Sequence, residues 1–344
     1  MQIPAIVIHR SFLFCLMHVT VAGGLLFFSG CKTIYEAETA YRGRITVFSQ
    51  ELEEIGSIQI DEAPGCLMVF PGHLIVATKE GNLLLYNTET LEMIGIYTVG
   101  PAAPEGYSDM VYIPQRNSAY LVGSYGNILE INIPECTVED VFSVCQLPLH
   151  LVYGGYGSPH FYVTDGINHT FYRVRLSNNT INGFHQFDEA IRAVGQHATD
   201  SILISSGGVT HIASVGSDGL LACRTAFLGE TQCLGAIQNS EYTAAVLGGY
   251  VGVLTYQFYE DSTGSGYYRW TFDNWVQMEG SPVSMACNEL HSAYLLSYMG
   301  SETSILYHYD YLYGSIQDQV ELQGFPLDIE VTASNTVFVL TANE

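Results

Sequence analysis

The sequence predicts an all-β protein, a seven-bladed β-propeller of four-stranded antiparallel blades spanning residues 43–344. Three observations lead there. Short apolar runs are separated by Gly, Asn, Asp or Ser throughout, and no 3.6-residue periodicity is sustained long enough for a substantial helix. The first strands of successive units start at Cys66, Asp109, His150, Arg192, Cys233, Ser284 and Asp328, at intervals of 43, 41, 42, 41, 51 and 44 residues, which is the period of propeller blades. Finally, the end of the chain continues its beginning. Residues 337–344 (VFVLTANE) match 73–80 (HLIVATKE), while 43–49 (GRITVFS) and 52–58 (LEEIGSI) match 81–87 (GNLLLYN) and 91–97 (LEMIGIY). One repeat is therefore cut in two, its front half at the C-terminus and its back half near the N-terminus, as a closed ring requires.

The clearest unit predicts strands over 66–70, 73–78, 83–87 and 93–99, joined by tight turns such as Glu80-Gly81-Asn82. Its neighbour repeats the turn at 125–127 (YGN) before a strand over 128–133. The last blade combines strands at about 326–332 and 336–342 with N-terminal strands at about 43–49 and 54–60. Such a shared blade pins the termini together and removes the gap between first and last blades.

These repeats resemble the YVTN-type seven-bladed propeller family. Its units combine an apolar strand, a Gly/Asn turn, a strand of the kind seen at 83–88 (LLLYNT) and a last strand ending like 96–100 (IYTVG). The match is close in the first unit and the split one and drifts in the fourth and fifth. The resemblance implies a fold and no catalytic motif, because the family includes surface proteins, periplasmic binding proteins and lactonase-like enzymes.

Residues 1–30 differ in composition from the rest. His9 and Arg10 precede an apolar stretch over 11–28, which ends in small residues before Cys31, the layout of an export signal. Residues 28–31 (FSGC) resemble a bacterial lipobox, which implies lipidation of Cys31 and a short tether to residue 42. An uncleaved membrane anchor and another type of export signal are the alternatives, and all three export the body of the chain. Lys32 does not resemble an inner-membrane retention residue, so the expected address is periplasmic or cell-surface, with the outer membrane where the cell has one.

Eleven Lys and Arg against 35 Asp and Glu give a net charge of −24. An acidic surface repels phosphate backbones, so nucleic acid is excluded as an expected partner. Beyond Cys15 and Cys31 the cysteines are Cys66, Cys136, Cys145, Cys223, Cys233 and Cys287, with no Cys-x-x-Cys metal spacing. Cys223 and Cys233 are placed to meet across a loop between blades, and the others read as buried thiols.

In a propeller the first strand of each blade lines the central channel. Its leading residues here are Cys66, Asp109, His150, Arg192, Cys233, Ser284 and Asp328, a ring of polar or thiol groups at one mouth that is the candidate ligand site. Asp109, His150 and Asp328 offer oxygen and imidazole donors to a divalent cation, and Arg192 suits a carboxylate. The opposing reading is hydrated channel lining. No other cofactor is predicted. His160, His169 and His185 lie in separate strands or turns without metal spacing, and no Gly-x-Ser-x-Gly, P-loop or His-Glu-x-x-His motif occurs.

The fifth unit is longer than the others, and its excess falls around 259–270 (YEDSTGSGYYRW), a hairpin whose return strand carries Tyr267, Tyr268, Trp270 and Trp275. The next unit adds Tyr307, Tyr309, Tyr311 and Tyr313 at alternate positions, hence on one strand face. Aromatic residues are enriched at binding hot spots, which makes these eight the candidate surface for an envelope protein, a surface protein or a glycan, with packing between blades as the competing account. The leading functional expectation is a non-enzymatic, lipid-anchored binding module. The alternative is an exported lactonase-like hydrolase or lyase that uses the channel mouth.

Overall fold

The computed structural model describes residues 42–100, 107, 109–123, 126–133, 135–215, 220–227, 229, 231–236, 242–260, 266–288 and 291–343, with the short segments 21–22 and 25–26. The chain divides into two units, Met1–Ala40 and Tyr41–Glu344. In the first, Val21–Ala22 pairs antiparallel with Leu25–Leu26. Cys31 and the tether up to residue 41 fall outside the described residues, as does the rest of the expected export signal.

The second unit is the seven-bladed propeller. Seven four-stranded antiparallel sheets follow one another, six of them running in chain order from the channel outward. Blade 1 comprises Pro64–Phe70, His73–Thr78, Asn82–Asn87 and Met93–Thr98. Blade 7 is the composite one. Its inner strand Phe325–Val331 pairs with Val337–Ala342, which pairs with Gly43–Phe48, which pairs in turn with Glu54–Ile60. The match between chain end and chain beginning is thus realised as hydrogen-bonded pairing, with Ile45 opposite Leu340 and Phe48 opposite Val337. No α-helix occurs among the described residues.

The apolar runs that marked the strands do not alternate with polar residues, and the structure shows why. Both faces of each blade are covered by neighbouring blades, so successive side chains point into different cores. In His73–Thr78, Leu74 and Val76 enter the cluster shared with blade 7, while Ile75 and Ala77 enter the one shared with blade 2. Seven such clusters among the described residues correspond to the seven junctions between blades. The inner strands touch in ring order, and the inner strands of blades 7 and 1 close the circle.

Cys223, one of the two cysteines placed to meet across a loop between blades, is a free thiol. Cys66, Cys136, Cys145 and Cys287 are free as well. Burial raises the thiol pKa of Cys145, Cys223 and Cys287 to about 12, as expected of small hydrophobes packed in a core.

Candidate functional site

Six of the seven inner strands enter the channel through the same irregularity, the exception being Met110–Ile113 of blade 2. A β-bulge separates Pro64 from Cys66, Pro148 from Leu151, Ile191 from Ala193, Thr231 from Cys233, Pro282 from Ser284 and Pro326 from Asp328. Bulges leave one residue unpaired and re-aim the strand, and proline is tolerated at the start of such a strand. The pairing registers place Cys66, Cys233, Ser284 and Asp328 at equivalent positions after the bulge, while His150 lies within the bulge of blade 3 and Asp109 directly precedes the inner strand of blade 2. In blade 4 the equivalent is Ala193, opposite Ser205, and Arg192 sits one residue earlier, exposed at the channel wall. The sequence held a signal for this register, since proline lies two residues before the leading residue in blades 1, 3, 6 and 7.

The channel has a volume of about 1350 Å³ and is lined by the inner strands of all seven blades. At its wall the carboxylates are engaged by the next blade. Asp109 Oδ2 accepts the backbone N–H of Leu151 at 2.7 Å and its Oδ1 that of Met110 at 2.8 Å. Asp328 Oδ2 accepts the N–H of Leu67 at 3.1 Å, while its Oδ1 accepts the Ser284 hydroxyl at 3.0 Å and the N–H of Ile329 at 2.9 Å. His150 Nδ1 lies 3.8 Å from Asp109 Oδ2.

Burial sets the protonation of these groups. It raises Asp109 to a pKa of about 7, with Asp328 adding to the rise and the Leu151 and Met110 amides opposing it. It raises Asp328 to about 6 against the same kind of amide bonds. Glu330, two residues further along the same inner strand and also lining the channel, is pushed well above the usual carboxylate range by burial and then by Asp328 and Asp109. Cys66 is raised by burial and by Asp328 and Asp109, and burial lowers His150. The sequence had not singled out Glu330.

Among the described residues no three His, Cys, Asp or Glu side chains group to hold a metal ion. Asp109 and Asp328 instead aim their oxygens at backbone amides of the following blade. Cys233 lies on its expected strand, with its side chain outside the described residues.

The aromatic candidates divide. Tyr307, Tyr309 and Tyr311 do share a face, as alternation predicts, but they are buried in the core between blades 5 and 6 and do not form an exposed surface. The Tyr307 hydroxyl accepts the N–H of Glu279 at 3.2 Å, Tyr309 donates to the carbonyl of Asn274, and Tyr311 meets His291 Nδ1 at 2.7 Å. The cause is general to the ring, because third strands are covered on both sides. Tyr313 lies past the strand end and is 80% exposed.

Blade 5 keeps the predicted excess. Its outer strands Tyr250–Glu260 and Gly266–Gln277 have 11 and 12 residues and form a hairpin paired out to Glu260 and Gly266. Tyr267 and Tyr268 lie on its return strand, with side chains outside the described residues. Trp270 is half-buried, 5.3 Å from the Tyr256 ring and edge-on to His197 at 4.7 Å. His197 lines the channel. Trp275 is 57% exposed and stands edge-on to Tyr250 at 5.1 Å.

A second polar cluster, at the junction of blades 3 and 4, was not anticipated beyond His160 itself. Asp200 Oδ1 accepts the Ser158 hydroxyl at 2.5 Å, the Tyr162 hydroxyl at 3.1 Å and His160 Nδ1–H at 3.3 Å. The 40 residues between His160 and Asp200 hid this grouping from a reading based on spacing.

The architecture and channel define the class as a seven-bladed β-propeller of four-stranded antiparallel blades. The chain is similar in fold to the solved structure of U3-55K and to that of the RRP9 WD40 repeats, each with a TM-score of 0.59 and 12% sequence identity. These alignments cover 81% of this chain and 95% and 94% of those chains. No protein-family model and no curated protein matches the sequence.

Proposed function

We propose that the protein is a lipid-anchored envelope propeller that holds a protein partner on blade 5. The observation that carries this reading is the overlong outer hairpin of that blade, with exposed Tyr256 opposite half-buried Trp270 and exposed Trp275 further along the return strand. Large aromatic groups at a surface supply binding area at low entropic cost. The WD40-type likeness supports an interaction platform, and a net charge of −24 favours a partner with a basic surface. The channel-mouth carboxylates are committed to bonds between blades, which supports binding over turnover. Anchoring rests on the lipobox-like residues 28–31.

Two measurements test this. Full-length protein and its Tyr256→Ala/Trp275→Ala variant are compared for partner capture from envelope extract, with Ser284→Ala as the channel control. Loss confined to the aromatic variant is expected, and equal capture by all three overturns the docking surface. Radiolabelled palmitate should be incorporated by the wild type and not by Cys31→Ala. Unlabelled wild type would remove the lipid anchor from the proposal.

A further inference from the structure

Between the first two strands of blade 3, residues 154–159 form a loop at the channel wall that is seated on blade 4. Gly154 O accepts the N–H of Asp200 at 2.7 Å. The seat is tight, because a Cβ on Gly154 would meet Asp200 Oδ1 at 2.8 Å and one on Gly155 would meet Gln196 Nε2 at 2.1 Å. Gly155 and Tyr156, the latter 86% exposed, line the channel together with Thr199 of the receiving turn.

His160 fastens this loop, and its hydrogen bonds leave one protonation state available. Nδ1–H donates to Asp200, so Nε2 must accept, which it does from Asn182 Nδ2–H at 3.0 Å. Asn182 cannot turn round, because its Oδ1 accepts Arg173 Nε–H at 2.9 Å while its backbone carbonyl accepts Arg173 Nη2–H at 2.9 Å. Arg173 is 2% exposed, so this fork is held inside the blade. A proton added to Nε2 sets donor against donor. Rotating the Asn182 amide only moves the conflict to Arg173, and turning the imidazolium away breaks its bond to Asp200.

We propose that His160 is an acid-sensitive latch, whose protonation at Nε2 loosens the 154–159 loop from blade 4 and opens the channel wall there. The charges facing it agree with this direction. Arg173 and Arg175 approach from the third strand of blade 3, and Asp200 from blade 4 is the carboxylate opposing them. The remaining titratable neighbours are Tyr162 and, behind it on blade 4, Cys223. Burial first, and then the two arginines, hold the imidazole below its ordinary value, while Asp200 pulls the other way. The neutral latch is therefore the resting state at neutral pH.

Hydrogen exchange of the full-length protein at pH 7.5 and pH 5.5, corrected for the intrinsic pH dependence of exchange, tests the latch. Protection of residues 154–160 should fall on acidification, by at most about tenfold per pH unit between the ordinary pKa of a released imidazole and the lower folded-state value, the limit for one coupled proton. His160→Gln should keep the loop protected at both pH values, since its amide can donate to Asp200 and accept from Asn182. Asn182→Asp, whose carboxylate accepts from both Arg173 and an imidazolium, should keep the loop protected at pH 5.5. Equal wild-type protection at both pH values overturns the latch. So does an undiminished acid loss in either variant, and because the two variants change different residues, a folding defect in one leaves the other decisive. The readout uses no partner, so it is independent of whether blade 5 is a docking surface.

Discussion

The carboxylate of Asp328 accepts the backbone amide of Leu67 at 3.1 Å, across 261 residues of sequence and across the seam where blade 7 meets blade 1. Asp109 repeats the bond to Leu151 at 2.7 Å, from blade 2 to blade 3. The leading side chain of one blade thus holds the inner strand of the next, in a wall where burial penalises the charged form.

Stability should fall as pH rises from 5 to 8. The folded-state pKa values of Asp109 and Asp328, about 7 and about 6, lie above the ordinary value of an unfolded Asp. The folded protein therefore binds protons that the unfolded chain releases, and stability present at low pH is lost as pH rises through the folded values. Urea denaturation should show a loss on the order of 2 kcal/mol, at about 1.4 kcal/mol per pKa unit and discounted for partial exposure. The Asp109→Asn/Asp328→Asn variant, which keeps an amide acceptor, should have a flatter profile. A wild-type profile that is flat or rises would contradict the assignment.

Removing the last strand should abolish cooperative folding. Val337, Phe338, Val339 and Leu340 are all 0% exposed, and burying such side chains contributes roughly 1.5–3 kcal/mol each. Their sum is comparable to the whole stability of a typical domain, about 5–15 kcal/mol. A chain ending at residue 334 should show no sharp thermal transition, while Phe338→Ala should keep one, lowered by about 3–5 kcal/mol.

Blades 2 and 3 are clamped by Arg116, whose Nη2 lies 2.9 Å from Glu130 Oε1 and whose Nη1 donates to the carbonyl of Leu176. Glu130 is buried and its other oxygen accepts Asn179 Nδ2–H at 2.9 Å. Arg116→Ala should cost about 3 kcal/mol because it strands a buried carboxylate, whereas Arg116→Met/Glu130→Leu should cost much less. Chemical denaturation of the two variants distinguishes an uncompensated charge from simple loss of packing.

Native thiols should react slowly. Cys136 is raised to about 11 and Cys145, Cys223 and Cys287 to about 12 by burial, so almost no thiolate exists at pH 8. Mass spectrometry after iodoacetamide treatment should show these four unmodified in native protein and alkylated after denaturation without reductant. Protection of Cys223 in unreduced, denatured protein would reveal a disulfide.

Tyr309 should behave as core. Tyr309→Phe loses the hydroxyl bond to the Asn274 carbonyl and should cost about 1 kcal/mol, and Tyr309→Ala about 3–5 kcal/mol, both visible as lowered melting temperatures. Unchanged melting with loss of partner binding would return this residue to the surface.

The sequence by itself determined the ring. Strand identity, blade period and the split seventh blade all reside in local apolar pattern and self-similarity, and Gly43–Phe48 pairs with Val337–Ala342 as the matched segments imply. Tertiary structure decided the sites. Whether the alternate tyrosines at 307, 309 and 311 meet solvent or blade 5 depends on what covers the strand, which alternation alone does not specify. Whether Arg192 or Ala193 leads blade 4 turned on one bulge, where a shift of one residue exchanges the faces of a strand. The meeting of His160 with Asp200, and of Asp328 with Leu67, follows from ring geometry that brings distant segments within hydrogen-bond reach. Periodicity is written in neighbouring residues, whereas a site is assembled from residues that only packing makes neighbours.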